Sequence, residues 1–189
     1  MSPRKFGEYC VLGVVFLFST AICRVKSQQT LAIHLVDGTV YFAQPPSLEK
    51  ATTTYRNIEV PSTYSFTLSL PENAGEPLQR VTFAQQKGRE DIKFDLKRTK
   101  AEAETLSHSR QPLTLGEVTS DRKTNTVSVT FNPPVPPGRT VIIGLHSVRN
   151  PLYGGIYLYG VTAFPAGEKS HGQFLGFGRL QFSSPSFRS

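Results

Sequence analysis

Four histidines, His34, His108, His146 and His171, are scattered along a chain of 189 residues. A transition-metal site usually draws two or three ligands from one short element, at spacings such as H-x-H or H-E-x-x-H. None of these spacings occurs, so the histidines are expected at surface and capping positions, with no metal and no cofactor. Nucleophilic catalysis by serine has no support either, because there is no G-x-S-x-G elbow. Ser147 adjoins His146, but neighbours on a strand point to opposite faces. Glu72, Glu76, Glu90, Asp91 and Asp95 supply acid for the paired-carboxylate chemistry of a glycosidase. Most of them lie in polar turns, where solvated carboxylates are the default. The "GFGR" at 176–179 lacks the third glycine and the helix start of a dinucleotide loop. Gly176 and Gly178 read instead as a bulge or a close backbone approach within a strand. No catalytic residue is assigned.

The best candidate for binding is "RNPLYGGIYLY", residues 149–159. Asn150–Pro151 and Gly154–Gly155 make a turn-rich loop, and loops on rigid β scaffolds collect binding residues. Arg149, Asn150 and Tyr153 would offer a guanidinium, an amide and an aromatic ring to a sugar or a peptide. In the strand that follows, Tyr157 and Tyr159 share one face. That face is either a stacking platform for sugar rings or a packed sheet face with hydroxyls at its rim. The chain has no tryptophan, which weakens the sugar reading.

The N-terminus bounds the setting. Arg4 and Lys5 precede the run "CVLGVVFLFSTAIC" (10–23), which is short for a membrane span and suits a secretory signal. Cleavage after "VKS" would leave Gln28 as the new N-terminus; a cut after Cys23 and an uncleaved anchor are the alternatives. Both cysteines, Cys10 and Cys23, fall inside this segment, so the exported chain would have no disulfide and no thiol. The full chain has 21 basic and 14 acidic residues. Residues 1–27 carry four of the basic and one of the acidic residues, leaving a surplus of four. A surplus of this size favours acidic surfaces only weakly, and nothing in the sequence resembles a concentrated nucleic-acid patch. The remaining 162 residues can bury roughly two-thirds of their surface in one domain.

The elements that would position any site follow a period of two. In "TYSFTLSL" (63–70) the residues Tyr64, Phe66, Leu68 and Leu70 alternate with polar ones, the mark of a half-buried strand. "LQRVTFAQ", "DIKFDL" and "TVSVTF" alternate in the same way, and "TVIIGL", "IYLYGVTAF" and "FLGFGRLQF" are denser runs. "LAIHLV" and "TVYF" flank Asp37–Gly38, a two-residue hairpin signal. Short strands separated by Gly, Pro and Asn predict an all-β fold, an antiparallel β-sandwich of immunoglobulin-like or jelly-roll-like kind. At most one short helix is expected, near 99–108, because Ala101, Ala103 and Leu106 make a poor apolar stripe. The segment 43–63 is expected to be irregular chain, and residues 183–189 a frayed tail after a single domain over 28–182. "NPPVPPGR" (132–139) matches the P-x-x-P-x-R spacing of a docking ligand through Pro134, Pro137 and Arg139. Between two strands it reads better as a stiff connection, with Pro137–Gly138 at the corner of a type II turn and Pro133–Pro134 ending the strand before it.

"YSFTLSLPENAGEPLQRVTFAQ", "FNPPVPPGRTVIIGL", "RNPLYGGIYLYGVTAFPAGE" and "GQFLGFGR" occur in that order. Through them the chain resembles the exported cyanobacterial proteins grouped as domain of unknown function 2808, over roughly Phe42 to Phe182. The resemblance implies a signal peptide, an all-β domain and a cell-envelope or extracellular setting, and it carries over no catalytic residues. Together these readings predict an exported, non-enzymatic binding or structural module of the cell envelope. Its compartment would be the periplasm, the extracellular space or the thylakoid lumen. Its partner would be an envelope polysaccharide or another envelope protein, with no nucleic acid and no membrane span after signal cleavage. The alternatives are a polysaccharide-acting hydrolase and an accessory factor for assembling a membrane protein complex.

Overall fold

Thirteen strands account for nearly all the regular structure in a computed structural model that describes residues 33–34, 37–104 and 109–184. In chain order they are β1 (Ile33–His34), β2 (Thr39–Tyr41), β3 (Ser47–Thr53), β4 (Ser62–Leu70) and β5 (Leu78–Lys87). Then follow β6 (Lys100–Glu104), β7 (Arg110–Pro112), β8 (Leu115–Asp121), β9 (Thr126–Val135) and β10 (Arg139–Ser147). The last are β11 (Gly155–Pro165), β12 (Lys169–Ser170) and β13 (Gln173–Phe182).

Two five-stranded antiparallel sheets, ordered β3-β4-β10-β6-β7 and β13-β11-β5-β9-β8, form the sandwich. A small third sheet, β1-β2-β12, contains the parallel pair β12–β2. The expected hairpin about Asp37–Gly38 is present, with Ile33 opposite Tyr41.

Alternation decides what faces inward. Tyr64, Phe66, Leu68 and Leu70 of β4 and Val141, Ile143 and Leu145 of β10 are buried. They meet Val81 and Phe83 of β5, Val127, Val129 and Phe131 of β9, and Tyr157, Tyr159 and Val161 of β11. Phe66 is at the centre, its ring 4.5 Å from Phe83 and 5.8 Å from Tyr159 of the opposite sheet.

Several expectations are corrected. The helix near 99–108 is not formed over 100–104, which is strand β6; residues 105–108 lie outside the described residues. Ala101 and Ala103 face the core at a spacing of two, and pairing with β10 uses the backbone groups that a helix would have spent on itself. "DIKFDL" makes only one bridge, Phe94 to Ser147, and then a 3-10 helix at Leu96–Arg98. This segment crosses from the end of one sheet to the other, so its apolar residues pack on the core without a ladder.

Part of the segment expected to be irregular is β3. An extra residue between Leu48 and Lys50 bulges the strand and hides its period. The prolines do not end β9: its pairing with β5 lapses between Thr130 and Val135 and then resumes. The side-chain amide of Gln79 donates to the Phe131 carbonyl (2.9 Å) inside this gap, and the Asn132–Pro133 peptide is cis. Gly138 has φ +76°, as the i+2 position of a type II turn demands, and its N–H donates to the Leu70 carbonyl at 3.0 Å.

Candidate functional site

Four connections and the segment leaving β13 meet at the end of the sandwich where β10 finishes and β4 and β11 begin. The segments there are 54–61, 88–95, 122–125, 148–154 and the start of the C-terminal segment. What holds them is a buried amide. Asn150 is 0 % exposed; its Oδ1 accepts from the Tyr64 hydroxyl (3.0 Å), and its Nδ2 donates to the Tyr55 (3.0 Å) and Asn57 (2.7 Å) carbonyls. Its backbone N–H donates to the Val60 carbonyl (2.7 Å), and Glu59 N–H to that of Pro151 (3.3 Å). The loops 54–61 and 148–154 are thereby one unit. Ser183 joins it by donating to the Arg56 carbonyl (3.0 Å); residues 185–189 lie outside the described residues.

A second lock comes from Glu90. One carboxylate oxygen accepts from Arg149 Nη2 at 2.7 Å, and the other accepts from the Leu152 N–H at 2.7 Å. Gln85 sets the approach of this segment, donating to the Glu90 carbonyl (2.7 Å) and accepting from the Ile92 N–H (3.0 Å). Two adjoining depressions result. One, of about 480 Å³, is lined by Glu90, Asp91, Ile92, Lys93, Val148 and Arg149. The other, of about 470 Å³, shares Asp91, Ile92, Lys93 and Val148 and extends to Arg122 and Asn125 of the β8–β9 turn.

The five residues singled out from sequence are therefore placed in different ways. Asn150, Tyr157 and Tyr159 are buried, the two tyrosines at 1 % exposure each, so of the two readings of their shared face the packed one is present and the stacking platform is not. Tyr157 donates to the Tyr153 carbonyl at 3.0 Å, holding the loop from beneath. Arg149 is paired with Glu90, and only Tyr153 presents its ring to solvent, at 53 % exposure.

Sequence reasoning missed the Glu90 lock, whose partners are 59 and 62 residues away with no local signal. It also missed the company Tyr153 keeps. Of the seven large apolar side chains exposed among the described residues, five surround this end: Tyr55, Val148, Leu152, Tyr153 and Ile156.

The remaining chemistry is quiet. Ser147 is fully buried and bonds to Ser62 across β4–β10, accepting from its N–H (3.1 Å) and donating to its carbonyl (3.0 Å). His146 points the other way, toward Thr63, and desolvation followed by the charge of Arg98 pulls its pKa down. Among the described residues no group of three or more His, Cys, Asp or Glu is placed to hold a metal, and no helix is long and apolar enough to cross a membrane.

Burial pushes the phenols of Tyr64, Tyr157 and Tyr159 up. A folded pKa raised above the unfolded value of about 10 gives stability that is complete below pH 10 and is lost as pH rises beyond it. The expected result is alkaline unfolding accompanied by a late rise of tyrosinate absorbance at 295 nm. Complete ionisation with the near-ultraviolet dichroism still intact would contradict it.

The fold and this end define a class: a two-sheet antiparallel sandwich with exposed apolar side chains gathered on the loops of one end. Within that class the chain belongs to the family described as "Protein of unknown function (DUF2808)", whose model matches residues 39–182. A search of curated proteins gives no match. Among solved structures, the chain is similar to the pilus 2b backbone protein of group B streptococcus at 11 % identity and a TM-score of 0.45. That match covers 70 % of this chain and 56 % of the other, so the chain spans little more than half of that relative. The collagen-binding domain of a Staphylococcus aureus adhesin is similar at 9 % identity and a TM-score of 0.40, covering 71 % of this chain and 95 % of that one.

Proposed function

We propose that the protein is an exported, non-enzymatic binding module that docks through its loop end on another protein of the cell envelope. The observation that carries this reading is the gathering of Tyr55, Val148, Leu152, Tyr153 and Ile156 on loops pinned by the buried Asn150. Exposed apolar side chains clustered on one surface mark protein contact sites, whereas isolated ones are ordinary. The pinning matters because ordering a loop on binding costs free energy, and here the loops are already ordered by folding. The Arg149–Glu90 pair beside the patch supplies a polar rim of the kind that sets orientation. Export rests on the basic head and short apolar run of residues 1–23, which lie outside the described residues.

The test is retention on the washed envelope fraction of cells producing the tagged protein. Leu152→Ser with Tyr153→Ala is expected to lower retention at least tenfold while the melting temperature stays within about 2 °C, since both side chains are exposed. Intact mass of the retained protein should place its N-terminus at or near Gln28. Unchanged retention by the double variant, or recovery of the protein only inside the cell with Met1 present, would sink the reading.

A further inference from the structure

The outer face of the second sheet has a composition that the loop end does not explain. Strands β5, β9, β11 and β13 contain no aspartate or glutamate, yet they carry Arg80, Lys87 and Arg179. In register, Arg179 and Lys87 lie on either side of Leu158, so one row across three strands reads Arg179–Leu158–Lys87. With strands about 4.8 Å apart, the two cationic positions are roughly 10 Å from each other.

Beside this row is a pair of exposed rings. Phe174 and Phe177 are three residues apart, which in a regular strand would put them on opposite faces. Gly176, at φ +116°, shifts the register opposite Val161–Thr162, and this bulge turns both rings outward. They are 58 % and 56 % exposed, with centroids 5.1 Å apart and planes at 70°. Both lean over Gly160 of β11: a Cβ added there would be 3.4 Å from Phe174, 3.5 Å from Gln86 and 3.7 Å from Phe177. Further along the face the Arg80 guanidinium lies 4.1 Å over the Phe164 ring, and its Nε has no hydrogen-bond partner.

We propose that this face binds an acidic polysaccharide, a chain of uronate or sulfated sugars lying along the strands. The charge is complementary over β13, β11, β5 and β9, which carry no anion; Glu117 and Asp121 are on β8, at the far edge of the sheet from the rings. The rings of Phe174 and Phe177 offer apolar surface to the C–H face of a sugar; Gln86 beside them and Arg179 two residues along β13, which also donates to the Gln181 amide oxygen (3.2 Å), add amide and guanidinium donors for hydroxyl and carboxylate oxygens. From the Leu158 row to the Phe164 row is about 20 Å at the strand rise, room for several sugar units. An acidic lipid surface shares the charge but fits the shape poorly. The rings lie on a flat sheet face among Gln, Thr and Arg, and sinking them into a bilayer would desolvate those polar groups as well.

The probe is polygalacturonate set in a native gel, with dextran as the neutral control. The intact protein should be retarded by polygalacturonate and not by dextran, and the retardation should fade as salt screens the charges. Phe174→Ala with Phe177→Ala is expected to weaken retardation at least tenfold at an unchanged melting temperature. Arg179→Gln with Lys87→Gln should weaken it by a similar factor and flatten the salt dependence. Lys50→Gln with Lys100→Gln removes the same charge from the opposite sheet and should stay within twofold of the parent. The Leu152→Ser/Tyr153→Ala variant should bind as the parent does, which separates this site from the loop end. The proposal is overturned if the intact protein is not retarded, if the ring variant binds normally, or if the control pair loses as much as the Arg179 pair. Binding to phosphatidylglycerol vesicles without binding to polygalacturonate would overturn it in favour of a lipid surface.

Discussion

Replacing Asn150 by alanine is expected to destabilise the protein by about 4 kcal/mol and to lower its melting temperature by roughly 10 °C. The substitution removes three hydrogen bonds from a residue with no solvent exposure. It strands the Asn57 carbonyl and takes the acceptor from the Tyr64 hydroxyl, each worth about 1–3 kcal/mol when left unsatisfied in the interior, and it opens a cavity; the Tyr55 carbonyl keeps the Thr53 (3.0 Å) and Ser62 (3.3 Å) hydroxyls. Asn150→Asp separates shape from chemistry. The carboxylate fills the same space but cannot donate, and it faces the same two carbonyls with a negative charge. Burial will raise its folded pKa above the unfolded value of about 3.9. The variant should therefore recover stability as pH falls toward that range and be at its worst near neutrality. Thermal melts of the three proteins between pH 4 and 8 check both statements. An alanine variant within 1 kcal/mol of the parent would show that water replaces the amide, and that the loops do not depend on it.

The second large effect lies where the two sheets touch. Phe66→Ala is expected to cost about 4 kcal/mol, because the ring is fully buried against Phe83 and Tyr159 and its neighbours relax only in part. Gly178→Ala should cost about 2 kcal/mol for the opposite reason. A Cβ at 178 would lie 2.7 Å from Phe66 Cε1 and 3.0 Å from Ala51 Cβ, so β13 comes this close to β3 and β4 only because the glycine has no side chain. The two changes share one volume, and the added methyl occupies part of the space left by the ring. The double variant should be less damaged than the sum of the singles by about 1 kcal/mol. Denaturant melts of the cycle measure it, and strict additivity would mean that Gly178 is required for some reason other than Phe66.

Legibility in the sequence followed the range of the cause. Where one residue's environment is set by its near neighbours, the reading succeeded. The alternation of β4 gave the inward face, Asp37–Gly38 gave a hairpin, and the two glycines of "GFGR" gave one bulge and one close approach. It failed where a distant partner decides. Asn150–Pro151 has the composition of a mobile turn, and only the carbonyls of Tyr55 and Asn57, more than 90 residues earlier, make it a fixed core group. Tyr157 and Tyr159 alternate correctly, but a period of two does not say which face is inside. Lys100–Glu104 carries only alanine as apolar residue, and the open side of β10 makes it a strand. In β3 a single extra residue was enough to erase the pattern.

The strand order also has a consequence in time. β5 lies between β11 and β9, and neither partner exists until the chain has been made beyond Thr126. Val81 and Phe83, which end at 0 % and 1 % exposure, have no strand beside them and only earlier residues such as Phe66 to pack on while about 40 further residues are added. Pairing of segments so far apart is slow, on the scale of milliseconds to seconds for sandwiches, and the waiting strand is open to other chains. The nascent protein is thus most vulnerable to aggregation after β5 is synthesised and before β9 arrives.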